Sequence, residues 1–263
     1  FNDMYAELGI SFDRYYFSMF EHEGKRVVED LIARGIAEDG RPNGEAVVVK
    51  LDELLGLKEK YRVMVAMRSD GTALYATEDL ALTQRKFADY PGLSRSLYVV
   101  DVRQSLHFQQ VFKTLELAGF ASAGQCQHIP YELVALPGNV AMASREGTVV
   151  LLEDLLREAT ARALEIVQQK NADLPLEQQT AIAKAVAVGA IKYTMLSREN
   201  TKVVTFDWQT ALDFNGQAAP YIQYAYVRAG SILRKAGNAL PEFPAQVNFE
   251  PVEVQLIELL SRL

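Results

Sequence analysis

Ser96-Leu97-Tyr98-Val99-Val100 is followed by a helix-compatible run from Gln104 to Leu117 and a stop at Gly119, and this stretch decides the fold. Its first part is a short apolar run rich in β-branched and aromatic residues, which reads as a buried strand. Upstream, Arg62-Val63-Met64-Val65-Ala66-Met67 reads as another strand. It leads into a turn, Ser69-Asp70-Gly71-Thr72, where Asp-Gly supplies positive φ. Ala73-Leu74-Tyr75-Ala76 extends as a second strand, Thr77 caps a helix, and Glu78-Asp79 sit in its first turn. Strand, helix, strand, helix at this spacing predicts βαβ units and a parallel sheet.

Outward from this centre, residues 27–35 predict a short amphipathic helix ending at Gly35, and Val47-Val48-Val49 a short strand. Residues 128–134 read as a further strand, and 136–147 as a loop. Beyond residue 152 the chain reads as mainly helical: one helix to about Gln169, one from Leu176 to Leu196 entered at Pro175, one from near Pro220 to Gly237, and one from Pro251.

The chain has 263 residues with 49% hydrophobic and 23% charged residues, which excludes a disordered coil. No apolar run approaches the ~20 residues that span a bilayer. A single cysteine, Cys126, excludes an internal disulfide and a multi-cysteine zinc site. That predicts a reducing, cytoplasmic setting. A net charge of −7 argues against a protein built on non-specific nucleic-acid binding, though not against a local basic surface for a structured RNA. The start, Phe1-Asn2-Asp3-Met4-Tyr5, has no signal-peptide pattern and is not Met, so the chain reads as a fragment of something longer or a processed product.

Asp79 and Tyr75, four residues apart, offer a carboxylate and a hydroxyl to a planar cation. Read alone, Asp79 is more readily a helix N-terminal charge, Tyr75 a strand aromatic and Gln104 a solvated first-turn residue, while His107 divides evenly between packing and a site.

Four stretches resemble the arginyl-tRNA synthetases, a class I aminoacyl-tRNA synthetase family: residues 70–80; Tyr98-Val99-Val100-Asp101-Val102-Arg103-Gln104-Ser105-Leu106-His107-Phe108; residues 142–150; and Phe206-Asp207-Trp208 with Phe214-Asn215-Gly216 and residues 220–225. They fall in the family's order and spacing. The resemblance implies an α/β fold: the second half of a Rossmann-like catalytic domain with a parallel sheet, followed by a helical region. It divides the chain into a connective segment (1–60), the catalytic half with its signature loop (61–150), a helical junction (151–205) and the start of an anticodon-binding domain (206–263). The implied activity is ATP-dependent formation of arginyl-adenylate and transfer of arginine to tRNA, by a whole protein of which this chain is a fragment, inactive alone.

By the same resemblance, Tyr75, Asp79, Gln104 and His107 bind arginine. His128 to Val134 hold the adenine edge. Met142 and Ser144 lie on the ATP, with Ser144 and Arg145 as the catalytic pair. ATP is then a substrate and Mg2+ bridges its phosphates without dedicated protein ligands. The implied partners are tRNA(Arg), arginine and ATP, with no membrane, and the protein is expected to be a monomer. Arg198 and Lys202 are expected near the tRNA acceptor arm. Tyr221, Tyr224, Tyr226 and Arg228 allow RNA contact, but their helical spacing favours packing.

The sequence departs from the family in three places. No counterpart of the His-Ile-Gly-His-like motif exists among His22, His107 and His128. Ala141 and Ser144 stand where the second signature has lysines, and Ala143 where it has a serine, leaving Arg145 as the cation. Phe17 stands where the family has a glutamate, with Glu21 or Glu23 as the nearby carboxylates. These departures motivate an alternative: a paralogue without adenylation activity, acting as a binding or regulatory module. A weaker third reading is an unrelated nucleotide-binding enzyme on a similar sheet.

Overall fold

The computed structural model describes residues 1–136, 140–141, 151–211, 213, 218–237 and 248–262. It begins with α1 (Asn2–Glu7) and α2 (Glu21–Ala33), then β1 (Glu38–Asp39), β2 (Val47–Lys50), α3 (Leu51–Leu55) and β3 (Val63–Met67). The helix expected at 27–35 starts six residues earlier, at Glu21, and its stop at Gly35 is real, with φ of 68°.

β1, β2 and β3 form an antiparallel sheet in that order. Alternation places Val47 and Val49 of β2, and Met64 and Ala66 of β3, on the buried face, while Val63 and Val65 face out. α4 (Tyr75–Asp89) then leads to β4 (Ser96–Asp101), α5 (Ser105–Leu117) and β5 (Cys126–Tyr131). β4 and β5 pair in parallel from Ser96↔Cys126 to Asp101↔Tyr131, so a βαβ unit forms as β4-α5-β5.

Four expectations differ from the structure. β3 is not a parallel neighbour of β4: it ends the antiparallel sheet beside β2, and β4 pairs with β5 in a separate sheet. Residues 73–76 are not a strand: one bridge, Met67↔Ala73, is all that pairs there, and Tyr75 already begins α4. Thr77 is therefore not the cap but sits three residues inside the helix. Its hydroxyl reaches back to accept the N–H of Leu74 at 2.8 Å and donates to the carbonyl of Ala66. One fully buried hydroxyl thus ties the helix start to the end of β3. Finally, β4 is buried on one face only. Tyr98 is enclosed, whereas Leu97 and Val99 are 55% and 64% exposed.

One core lies between α2, α4, α5 and the antiparallel sheet. Val28, Leu31, Val47, Val49, Leu51, Met64, Leu80, Val111 and Leu115 all pack into it. Gly24 lets α2 approach α4 closely, since a Cβ there would fall 2.8 Å from the carbonyl carbon of Thr77 and closer still to its oxygen.

The strand expected over 128–134 is interrupted. β5 ends at Tyr131, and the N–H of Glu132 goes to the carbonyl of Asn200 at 2.8 Å, while the Asn200 side chain donates to the carbonyl of Pro130 at 2.7 Å. β6 (Val134–Leu136) then pairs antiparallel with β7 (Val140–Ala141) and parallel with β8 (Val204–Thr205), a short strand inside the region read as mainly helical.

α6 (Leu152–Lys170) and α7 (Leu176–Leu196) form a helical pair whose contact is lined by Ala159, Ala163, Ala183 and Ala187. Leu8, just after α1, and Phe206 join this second core. α8 (Trp208–Ala211), α9 (Ala219–Ala236) and α10 (Pro251–Leu260) complete the described elements. Tyr221, Tyr224 and Tyr226 of α9 are exposed rather than packed. Among the described residues, no helix is long and apolar enough to cross a membrane.

Tyr98 links β4 to both flanking helices. Its hydroxyl shares a hydrogen bond with fully buried Thr83 of α4 at 2.8 Å, and its ring packs on Phe108 and Phe112 of α5. Burial pushes the phenol up from near 10 to about 12, against the opposing hydrogen bond from Thr83. A group whose folded value is raised holds its stability below the unfolded value and loses it as pH climbs through the folded one. Urea unfolding midpoints should therefore fall between pH 10 and 12, with up to ~3 kcal/mol of the loss attributable to Tyr98. Tyr98→Phe should flatten that part of the slope, and an unchanged slope would refute the assignment.

Candidate functional site

The amino-acid side of the site is built where α4 and α5 begin. Tyr75 is the first residue of α4 and Asp79 lies one turn on, so the two share a face. Tyr75 is 82% exposed, leaving its hydroxyl available to a ligand. The second part sits after β4. Asp101 ends that strand and caps the turn that follows, accepting the backbone N–H of Arg103 at 2.8 Å. The Arg103 guanidinium grips the same carboxylate at 2.8 and 2.9 Å and holds its pKa below the ordinary carboxylate value. This fixes the junction from which α5 leaves. Gln104 precedes α5, exposed and making no side-chain cap, and His107 lies three residues further along.

One contact joins the two halves. His107 Nε2 lies 2.7 Å from Asp79 Oδ2, with both side chains mostly buried. Asp79 and His107, 28 residues apart in sequence, thus meet across α4 and α5, with Tyr75 and Gln104 on either side of the pair along their own chains. Two turns below Asp79 on α4, Lys86 places its ammonium 4.0 Å from the centre of the Tyr98 ring. Burial pulls that ammonium's pKa down and the charge of Asp79 pulls it up. The sequence reading missed Lys86, although its i+7 spacing from Asp79 was visible.

His128 sits in the middle of β5, packed on Phe108 at 5.1 Å between ring centres, with Nε2 bonded to the carbonyl of Val100 at 3.0 Å. Its side chain is thus engaged within the fold. Val134 opens β6. Val204 and Phe206 donate their N–H groups to the carbonyls of Leu133 and Ala135, so the backbone groups of Val134 point to the other edge, on the side of β7. An adenine ring needs a backbone edge of that kind.

Met142, Ser144 and Arg145, with Gly147 of the same loop, lie outside the described residues, as do Phe214, Asn215 and Gly216. Phe17 is 71% exposed, and Glu21 pairs with Lys25 on its own helix at 2.6 Å. Glu23 lines a groove with Arg14, Tyr16 and Asp89. Among the described residues, no group of three His, Cys, Asp or Glu side chains gathers to hold a metal. A polar cleft of about 530 Å³ near Tyr193, Arg198, Thr205 and Asp207 borders the turn that carries Lys202. Cys126 is half-buried, and burial raises its thiol pKa, away from reactivity.

The family model described as "tRNA synthetases class I (R), catalytic domain" matches residues 1–208, and the chain belongs to that family, the arginyl branch of the class. It is 40% identical over 259 residues to the arginine–tRNA ligase of Clostridium perfringens, covering 97% of this chain and 44% of that protein. It is 37% identical over 263 residues to the arginine–tRNA ligase of Chloroflexus aggregans, covering 98% of this chain and 44% of that one. Among solved structures, the Thermus thermophilus arginyl-tRNA synthetase superposes with a TM-score of 0.80 at 30% identity, over 99% of this chain and 48% of that one. The Plasmodium falciparum arginyl-tRNA synthetase shares the fold, with a TM-score of 0.67 at 20% identity over 92% of this chain and 39% of that one. The chain thus spans less than half the length of these relatives.

Proposed function

We propose that the protein containing this chain activates arginine with ATP to arginyl-adenylate and transfers it to tRNA(Arg). The observation that carries the reading is the mostly buried Asp79 carboxylate, one turn beyond Tyr75 on α4 and bonded to His107 of α5, three residues after Gln104. A guanidinium has five donors and no acceptor, so an oriented carboxylate with a hydroxyl and an amide nearby is the complement it needs.

In this reading Asp79 takes the charge-assisted hydrogen bonds, while Tyr75 and Gln104 close the plane of the guanidinium. The backbone edge at Val134 receives adenine, with His128 shaping the strand before it. Met142, Ser144 and Arg145 lie over the phosphates, where Arg145 supplies the positive charge. Mg2+ would come to the site with the phosphates of ATP, since among the described residues no His, Cys, Asp or Glu cluster gathers to hold it. Arg198 and Lys202 face the acceptor arm. The protein works in the cytoplasm as a monomer. The division at residues 60, 150 and 205 goes with the reading, although the first core runs continuously across residue 60.

A second reading rests on Phe17, Ala141 and Ser144, which remove one anion and two cations from the family's pattern. It makes the protein a binding module without adenylation. Arginine-dependent ATP–pyrophosphate exchange by the full-length protein separates the two. Rapid exchange supports the ligase; arginine binding without exchange supports the module.

A further inference from the structure

We infer that His107 serves arginine recognition as a positioning residue that acts through Asp79. The inference rests on the reading of Asp79 as the guanidinium's partner.

An ionised carboxylate only accepts hydrogen bonds, so the 2.7 Å contact requires that His107 Nε2 carry the proton and donate it to Asp79 Oδ2. That bond commits one oxygen of Asp79 to the protein and leaves Oδ1 for a ligand. It also fixes the rotation of the carboxylate, which on a free aspartate is a soft torsion with two broad wells. A planar guanidinium rewards such fixing, because its donors are useful only when the acceptor lies in their plane.

His107 itself is braced by the parallel strand pair. Its ring meets Phe108 edge-on at 5.0 Å and 81°. Phe108 packs against Tyr98 of β4 at 5.3 Å and against His128 of β5 at 5.1 Å. His128 must donate from Nε2 to the carbonyl of Val100, which locks its ring across the two strands. The carboxylate's orientation is thus set by a line of contacts from Val100 through His128, Phe108 and His107. Each lies on β4, β5 or α5, the unit that also places Gln104.

The test uses the full-length protein and arginine-dependent ATP–pyrophosphate exchange. His107→Phe keeps a ring against Phe108 but has no donor; His107→Gln restores an N–H at similar reach. Loss of a hydrogen bond to a charged group should raise the arginine KM about 10- to 100-fold in His107→Phe. The kcat and the ATP KM should stay within about 3-fold, and His107→Gln should recover most of the loss. Adding His107→Phe to Asp79→Asn should cost little beyond Asp79→Asn alone, since one acts through the other.

An unchanged arginine KM in His107→Phe overturns the inference. So does a parallel loss of kcat and ATP affinity in both His107 variants, which would mark a purely structural role. If His107→Phe does not fold by thermal melting, His107→Gln and its cycle with Asp79→Asn decide: additive losses overturn the inference, non-additive ones support it. Wild-type protein without arginine-dependent exchange removes the ligase reading and this inference with it, an outcome distinct from all the others.

Discussion

Asp79→Asn in the full-length protein is expected to lower kcat/KM for arginine by about 30- to 5,000-fold, with the ATP KM nearly unchanged. Losing the charged partner of a desolvated ion pair costs about 2–5 kcal/mol, which sets that range. Asparagine keeps the shape of the side chain but presents an amide N–H where the carboxylate presented a second acceptor. One of its two neighbours, the His107 donor or the incoming guanidinium, then meets a donor. The fold should survive, because Asp79 lies outside the apolar core. Steady-state exchange at varied arginine and saturating ATP measures the effect directly. A kcat/KM within 3-fold of wild type would mean that the guanidinium binds elsewhere.

The largest expected effect on stability comes from Gly24→Ala, about 3 kcal/mol of destabilisation. A Cβ at this position would collide with the backbone carbonyl of Thr77, which cannot swing aside as a flexible side chain would. Relief requires α2 and α4 to separate, and that opens the core packed around Val28, Leu31 and Leu80. Thr77 is also the residue that ties the start of α4 to β3, so the displacement reaches the turn carrying Asp79. Urea unfolding should show a lower midpoint at unchanged slope. Gly124→Ala provides the contrast, since nothing lies within 4 Å of a Cβ there and its change should stay within ~0.5 kcal/mol. Equal stability of the two variants would contradict the close approach of α2 and α4.

Much of this architecture was legible because local chemistry agreed with the tertiary outcome. α7 starts and stops as read, at Leu176 after Pro175 and at Leu196, and β3 and β4 keep their apolar cores within a residue or two. The misreadings have definite physical sources. Ala73-Leu74-Tyr75-Ala76 is short and apolar, so it fits a strand or a helix start equally well. What decides it is the hydroxyl of Thr77 reaching back to Leu74, a contact that residue type alone assigns to a cap. The onset of α2 was hidden in Glu21-His22-Glu23-Gly24-Lys25-Arg26, where charge masks the apolar stripe and a glycine imitates a stop. Whether β3 pairs parallel or antiparallel depends on residues 47–50, which no local pattern connects to it.

The candidate site was legible in its members but not in its wiring. Tyr75, Asp79, Gln104 and His107 come from the family resemblance; spacing alone favours a helix N-terminal charge for Asp79 and a strand aromatic for Tyr75. That His107 is bonded to Asp79 across two helices, that Lys86 lies under the pair, and that His128 is committed to Val100 are long-range facts. They depend on how the chain folds back over 28 residues in two of the three cases.

The central claim is that a carboxylate at Asp79 reads a guanidinium, and citrulline tests it most directly. Citrulline replaces the cationic guanidinium with a neutral urea of nearly the same shape. With the full-length protein, ATP–pyrophosphate exchange should proceed with arginine and fall at least 100-fold in kcat/KM with citrulline, because a buried charge pair is then left half made. Comparable exchange with both amino acids, or none with arginine, would contradict the account.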